Sequence, residues 1–132
     1  MTDFTEALHT AVPYTAVLGV RVLASAPEEV RARVDWDATR CTTGGSLHGG
    51  VVMGLADTSG ATCAFLNLPE GATGTTTIES KTNFLRGVRD GHIEAVSRPL
   101  HTGRSTIVVE TDVLDAAGRR VAKVIQTQAV RY

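Results

Sequence analysis

The 132-residue sequence carries a net charge of −1 at pH 7, with 42% hydrophobic and 20% charged residues. This length fits one domain, which we expect to cover residues 1–132, and the composition is typical of a soluble globular protein. The balanced charge argues against a nucleic-acid-binding surface. The first ten residues form no signal peptide, and no segment is suited to cross a membrane, so we predict a cytoplasmic protein without nucleic-acid or membrane partners.

The chain begins with a predicted short helix over residues 2–10. Thr2 or Asp3 is its expected cap, because both side chains can accept a hydrogen bond from the first turn. Phe4 and nearby apolar residues recur at helical spacing. Pro13 is expected to end the helix.

A hairpin is predicted next. Its strands cover residues 16–26 and 29–36, and Pro27 and Glu28 form the turn between them. The second strand alternates apolar and charged side chains, which is the period of a strand with one face in solvent. The polar, glycine-containing residues 37–47 are predicted to form a loop.

A long apolar segment follows, from His48 to Leu66, and Pro69 closes it. Its length favours a helix over a strand. It is apolar on nearly all sides, so we expect it to be buried. Asp57 lies in its middle, and burial of a carboxylate is costly unless the group is paired or used.

The remaining sequence predicts four strands separated by turns, at roughly 75–86, 91–100, 104–114 and 119–132. Strand periodicity groups five residues on one face of the last strand: Val121, Lys123, Ile125, Thr127 and Ala129. One long helix and six strands joined mostly by hairpins predict an α+β architecture, in which a mainly antiparallel sheet curls around the helix.

This arrangement resembles the hotdog fold, and one motif sharpens the resemblance. The segment 44-GGSLHGGVVMGLADTSGA-61 is similar to the G-x-x-H-G-G-x-x-x-x-L-A-D-x-x-x-A signature of PaaI-like acyl-CoA thioesterases. The segments 83-NFLRGVRDGHI-93 and 101-HTGRSTIVVETDVLDAAGRRVA-122 resemble two further stretches of that family. The resemblance implies a long central helix wrapped by a curved six-stranded sheet. It also implies hydrolysis of an acyl-CoA thioester, with coenzyme A as part of the substrate and no separate cofactor.

The start of the long helix carries the first group of candidate site residues, His48, Gly49 and Gly50. Backbone N–H groups at a helix N-terminus are unpaired, and the helix dipole favours negative charge there. The N–H of Gly49 can therefore hold the oxyanion formed from a thioester carbonyl, a role that the resemblance also implies. Gly50 is expected to bind substrate, and His48 to bind and position it.

Asp57 matches the family's catalytic carboxylate, which acts as nucleophile or general base. It lies nine residues beyond His48, too far along one helix to reach the carbonyl held by Gly49 of the same chain. The resemblance implies that each site combines the helix start of one subunit with the acid of another. We therefore expect a homodimer at least, and a homotetramer as the full assembly. Both roles stay open for Asp57, and we favour the general base.

Other predicted site residues are implied by position in the family. Thr42 stands near the point where relatives carry an asparagine or glutamine that helps hold the carbonyl or the water. Thr77 matches a serine or threonine that orients water near the acid. Three residues match positions that line the coenzyme A entrance: Arg86, Arg104 and Ser105. Arginine suits the phosphates of coenzyme A.

Other functions fit less well. No G-x-S-x-G motif marks a serine hydrolase, and the four histidines lack zinc-site spacing, so no metal is expected. The D-x-N-P-x-H motif of related dehydratases is absent. A non-catalytic acyl-CoA-binding protein is the alternative: Asp57 argues against it, and Thr42 argues mildly for it. The acyl group stays open between aromatic and aliphatic, although the resemblance points to aromatic groups such as phenylacetyl.

Overall fold

The computed structural model describes residues 4–132. The predicted first helix is confirmed over these residues as α1, Phe4–Ala11, while its predicted cap at Thr2 or Asp3 lies outside them. No helix within residues 4–132 combines the length and the hydropathy that a bilayer crossing requires.

The predicted first strand is wrong at its beginning, because its first residues are helical. A short helix α2, Tyr14–Leu18, precedes strand β1, Arg21–Ala26. Gly19 ends α2 in the left-handed conformation, with φ of 76°, and its N–H bonds to carbonyl groups of the last turn. Glycine adopts this conformation without steric cost, so it separates helix from strand within one apolar run.

The rest of the chain follows the predicted order. Its elements are β2 (Glu29–Asp35), α3 (Gly49–Leu66), β3 (Gly74–Phe84), β4 (His92–Thr102), β5 (Thr106–Asp115) and β6 (Arg120–Arg131). The loop before α3 contains two short 3₁₀ turns. The strands form one sheet in the order β1-β2-β4-β5-β6-β3, and every neighbouring pair is antiparallel. The predicted α+β architecture, one helix against a six-stranded sheet, is confirmed.

Helix α3 packs against the inner face of the sheet. Contrary to the prediction, it is not buried on all sides. Its inner side carries Leu55 and Cys63, which are fully buried. On the opposite side Met53 is 39% exposed and Phe65 is 58% exposed. Asp57 lies on this open side and is exposed in the single chain, so the expectation of a buried acid is wrong for one subunit alone.

A buried cluster of three hydroxyl groups fixes α3 on the sheet. Ser97 on β4 donates to Ser59 on α3 at 2.8 Å and lies 2.6 Å from the hydroxyl of Thr111 on β5. All three side chains are buried. Because buried hydroxyl groups lose stability unless they are paired, this cluster favours one position of the helix along the strands.

Strand β6 presents two glutamines as well as apolar residues to the core. The inner face carries the set that alternates with the predicted one: Ala122, Val124, Gln126 and Gln128. The neighbouring strand β3 contains an extra residue, because the pairing passes from Thr77–Gln128 to Glu79–Thr127 and leaves Ile78 as a bulge. Bulges of this kind change the direction of nearby side chains.

Candidate active site

The start of α3 leaves one backbone donor free. His48 precedes the helix in an extended conformation, and its Nδ1 accepts the N–H of Gly50 at 2.8 Å. The N–H of Val51 bonds to the carbonyl of His48 at 2.9 Å. The N–H of Gly49 has no hydrogen-bond partner within residues 4–132. The His48 ring therefore occupies the N–H of Gly50, while the N–H of Gly49, the predicted oxyanion donor, is available.

Backbone hydrogen bonds hold this helix start between two loops. The N–H of His48 bonds to the carbonyl of Arg40 at 2.9 Å, and the N–H of Leu47 bonds to the carbonyl of Val88 at 2.8 Å. Thr42 lies in the first of these loops, where its N–H bonds to the carbonyl of Ser46, and it is exposed. The structure thus places Thr42 in the loop that leads to His48.

A cleft of about 440 Å³ opens beside the helix start. Its lining is Ser46, Leu47, Gly49, Val52, Phe84, Leu85, Arg86, Gly87, Val88 and Val121. Gly49 lies against the ring of Phe84, since a Cβ added there would lie 3.2 Å from Phe84 Cζ. The cleft therefore combines one free N–H, apolar walls and the guanidinium-bearing residue Arg86.

Asp57 does not reach this cleft in its own chain. It lies eight residues beyond Gly49, about 12 Å along the helix, and it is not part of the cleft lining. Its Oδ1 accepts a hydrogen bond from Nε2 of Gln126 on β6 at 3.3 Å. Thr77 is held in a similar way, since Nε2 of Gln128 donates to its hydroxyl at 2.7 Å.

The predicted coenzyme A residues fall into two separate places. Arg86 lines the cleft, whereas Arg104 and Ser105 form the turn between β4 and β5. The Ser105 carbonyl accepts the N–H of Val130, near the end of β6. The cleft lies at the other end of that strand, beside Val121, about 30 Å away at ordinary strand rise. One chain thus does not bring Arg104 together with Arg86.

Other charged and sulfur groups near the helix have structural roles. Backbone and side-chain hydrogen bonds from Arg119 hold the pKa of Asp115 below its usual range and fix the turn after β5. Burial raises the pKa of Cys63, at the far end of α3, to about 11. Within the described residues, no three histidine, cysteine or carboxylate side chains lie close enough together to hold a metal ion.

Sequence reasoning missed Gln126 and Gln128, which contact two predicted site residues. Both are 1% exposed. Their signal in the sequence is two glutamines at alternating positions of a strand whose other inner residues are apolar, but the sequence does not show which face of β6 is buried.

Comparison with known proteins identifies the family. A family model described as the thioesterase superfamily matches residues 44–122, which contain the helix start, Asp57 and the cleft. The chain belongs to the thioesterase superfamily.

Two relatives illustrate the sequence similarity of this superfamily member. It is 33% identical over 104 residues to a proposed esterase of Deinococcus radiodurans, a match that covers 79% of this chain and 65% of that relative. It is 33% identical over 75 residues to the 1,4-dihydroxy-2-naphthoyl-CoA hydrolase of Escherichia coli, covering 57% of this chain and 54% of that enzyme. The matches thus span somewhat under two thirds of these relatives.

Two solved thioesterase structures share its fold. A thioesterase of Haemophilus influenzae superposes with a TM-score of 0.88 at 27% identity, covering 98% of this chain and 92% of the other. A variant of a Pseudomonas aeruginosa thioesterase gives a TM-score of 0.89 at 28% identity, covering 99% and 96%. The predicted hotdog thioesterase fold is confirmed, and so is thioester hydrolysis as the general activity of the family.

Proposed function

We propose that this thioesterase-superfamily protein hydrolyses acyl-CoA thioesters to the free acid and coenzyme A. The observation that carries the proposal is the free N–H of Gly49, which lies at the start of α3 beside an apolar cleft. A thioester carbonyl in the cleft gains negative charge as water attacks it. A preorganised N–H at a helix N-terminus stabilises that charge, and loss of such a donor costs about 10²–10³ in rate.

Asp57 supplies the base in this proposal. Its carboxylate takes a proton from the attacking water, the tetrahedral intermediate collapses, and the thiolate of coenzyme A leaves and is protonated. Thr77 holds the water through its hydroxyl, and His48 and Thr42 shape the approach to the carbonyl. Gly50 then acts through its backbone position and through His48, because its own N–H is occupied.

Each site in the proposal combines two subunits. Edge strand β3 exposes Ile78 by 63% and Phe84 by 53%, and the open side of α3 exposes Met53. An exposed apolar edge is normally covered, which supports pairing of two β3 strands. In an antiparallel pair centred near residues 80 and 81, Phe84 lies opposite the partner subunit's Thr77. The cleft of one subunit then faces the acid of the other.

The same pairing explains how Arg104, which is far from the cleft of its own chain, can bind coenzyme A. Arg104 and Ser105 lie toward the end of β6 remote from the cleft, the end at which Cys63 of α3 shares a buried cluster with Val130. In a dimer they approach the partner's cleft, where they join Arg86 in binding the phosphates of coenzyme A. A homotetramer of two such dimers stays our prediction for the full assembly, and the cytoplasm stays the predicted location.

The proposed substrate carries an aromatic acyl group. The relative in Escherichia coli is named for the hydrolysis of an aromatic acyl-CoA, and Phe84 offers a ring beside the helix start. Aliphatic acyl groups are the competing class, since most of the remaining cleft wall is aliphatic.

The test is a panel of aryl-CoA and alkyl-CoA substrates with detection of the released thiol. We expect turnover of aryl-CoA by the wild-type protein and at least about 10²-fold slower turnover by Asp57→Ala, the usual size of an acid–base contribution. Binding of acyl-CoA without thiol release would identify the non-catalytic alternative. Turnover that survives Asp57→Ala would remove Asp57 from the reaction.

A further inference from the structure

We propose that two buried glutamines of β6 are positioning residues of the active site: Gln126 for Asp57 and Gln128 for Thr77. This inference rests on the proposed function, in which Asp57 activates water and Thr77 orients it. Neither glutamine belongs to the motifs that identify the family in this sequence.

The burial of these side chains requires an explanation. Gln126 and Gln128 are both 1% exposed, on the face of β6 that packs against α3. A buried carboxamide destabilises a core unless its polar atoms are bonded. The preceding inner residue, Val124, shows that the same face accepts an aliphatic side chain.

The amide of Gln126 points its N–H group at Asp57 and leaves its own oxygen unpaired in the core. Its Nε2 donates to Asp57 Oδ1 at 3.3 Å, while its Oε1 is buried and has no partner within the described residues. The opposite orientation of the amide would place its oxygen against a carboxylate oxygen, which is repulsive. An unpaired buried acceptor is unfavourable, so the contact with Asp57 determines the orientation.

Gly60 provides the space for this arrangement. The carboxamide of Gln126 lies directly against Gly60 on α3, where any Cβ would collide with Gln126 Oε1. Glycine in a helix interior is unfavourable by itself. The glycine and the glutamine therefore form a matched pair that holds the amide beneath Asp57.

Gln128 holds the hydroxyl of Thr77 as Gln126 holds the carboxylate of Asp57. Its Nε2 donates to Thr77 Oγ1 at 2.7 Å, just before the bulge at Ile78. Donation by the amide leaves the Thr77 hydroxyl proton free to bind another oxygen, such as that of water. Because alternate residues of a strand lie about 7 Å apart on one face, β6 directs Asp57 and Thr77 to one region.

The consequence for catalysis is a fixed carboxylate. With Oδ1 bonded to Gln126, Oδ2 of Asp57 is the oxygen that accepts the proton of water. Misplacement of a reacting group by about 1 Å can cost about 10²-fold in rate. We expect the glutamines to affect kcat and to leave KM nearly unchanged, because neither contacts the substrate.

The experiment compares Gln126→Leu with Gln128→Leu in an aryl-CoA hydrolysis assay. We expect each to lower kcat by about tenfold or more while KM changes by less than about threefold. Each should then be tested on top of Asp57→Asn and Thr77→Val. Gln126→Leu should cause no further loss in Asp57→Asn, and Gln128→Leu none in Thr77→Val, because each acts through its own partner. Gln126→Leu should keep its full effect in Thr77→Val.

Controls separate positioning from folding. Thr111→Val removes a buried hydroxyl elsewhere under α3, so it should lower the thermal unfolding midpoint and leave kcat unchanged. If Gln126→Leu does not fold, Gly60→Ala is the second variant. Its added methyl group on α3 displaces the Gln126 amide and should give the same loss of kcat.

The outcomes are distinguishable. Absence of thiol release by the wild-type protein would overturn the proposed function itself, and wild-type turnover by Asp57→Asn would remove Asp57, and with it the role of Gln126, from the reaction. An inactive Asp57→Asn combined with normal kcat in both leucine variants would overturn only the positioning role. Losses that add fully when Gln126→Leu is combined with Asp57→Asn, and Gln128→Leu with Thr77→Val, would also overturn it, since they would identify a general effect on the core.

Discussion

The start and the middle of α3 build their chemistry in different ways. At the start, the functional group is the backbone N–H of Gly49, which any helix provides because its first amides lack partners. In the middle, Asp57 depends on a side chain from β6 that is 69 residues away in sequence. One region is specified locally and the other by the tertiary fold. Changes at the start should therefore affect only the interaction with the ligand. Changes in the middle should also depend on the packing of the core residues that hold Asp57.

The largest expected effect tests whether the two regions serve one site. Gly49→Val and Asp57→Asn should each lower turnover by about 10²-fold or more. Co-expression of the two variants should restore about a quarter of wild-type turnover, because half of the dimers are mixed and each mixed dimer has one intact site. Thiol release by the purified mixture measures this. Absence of recovery in mixed dimers that form normally would place each site within one chain.

Alanine variants of the two adjacent glycines test which of them holds the oxyanion at the helix start. Gly49→Ala adds a methyl group beside Phe84 in the cleft, whereas Gly50→Ala adds one against the ring of His48. We expect about tenfold slower turnover for the first, which obstructs the carbonyl directly, and a smaller loss for the second, which acts only by displacing the His48 ring. The unfolding midpoints of the two variants provide the control for folding. Equal losses of turnover would contradict the assignment of the oxyanion to Gly49.

A buried hydroxyl on β5, beneath the helix, should behave unlike either region. Thr111→Val breaks the cluster with Ser97 and Ser59 without touching the proposed site. We expect the free energy of unfolding to fall by about 1–2 kcal/mol, since a buried donor or acceptor loses its partner. Urea unfolding and a parallel activity assay provide the two measurements. Reduced kcat in a variant with intact quaternary structure would show that packing alone explains the middle of α3.

The smallest expected effect on activity concerns the two cysteines, Cys41 in the loop before α3 and Cys63 near the end of that helix. Burial raises the pKa of Cys63 from 9.0 to about 11, so its thiol stays neutral in the folded protein while the unfolded thiol ionises first. This contribution is fully present below pH 9.0 and is lost as the pH rises toward about 11. Urea unfolding across that range should show a decline in stability that is smaller in Cys63→Ala. A thiol reagent should modify half-buried Cys41 first.

The sequence predicted most of the fold because its signals are local. Strand periodicity, turn residues and the length of one apolar run located six strands and α3 to within a few residues. The error at residues 16–18 arose because apolar residues before Gly19 fit a strand as well as a short helix. The exposure of Asp57 was missed because an apolar helix surface has the same composition whether it faces a core or a partner.

The candidate site was predicted unevenly for the same reason. The glycines at the start of α3 are recognisable because helix termini follow general rules. Gln126 and Gln128 were missed because their roles depend on which face of β6 is buried, and bulges in β5–β6 and β3–β6 pairing shift that register. No local pattern records such shifts.

The bulge at Ile78 makes the length of β3 more important than the identity of most of its residues. Side chains alternate between the two faces of a strand, so the extra residue alone determines that Thr77 points toward Gln128. If Ile78 were instead paired in a regular ladder, it would take the place opposite Gln128 and turn residues 74–77 to the opposite face. Many substitutions on this exposed strand leave that direction intact. Across evolution, β3 should therefore accept most changes of side chain outside Thr77 and Phe84, while a change that brings Ile78 into the regular ladder would separate the water-holding hydroxyl from the rest of the site.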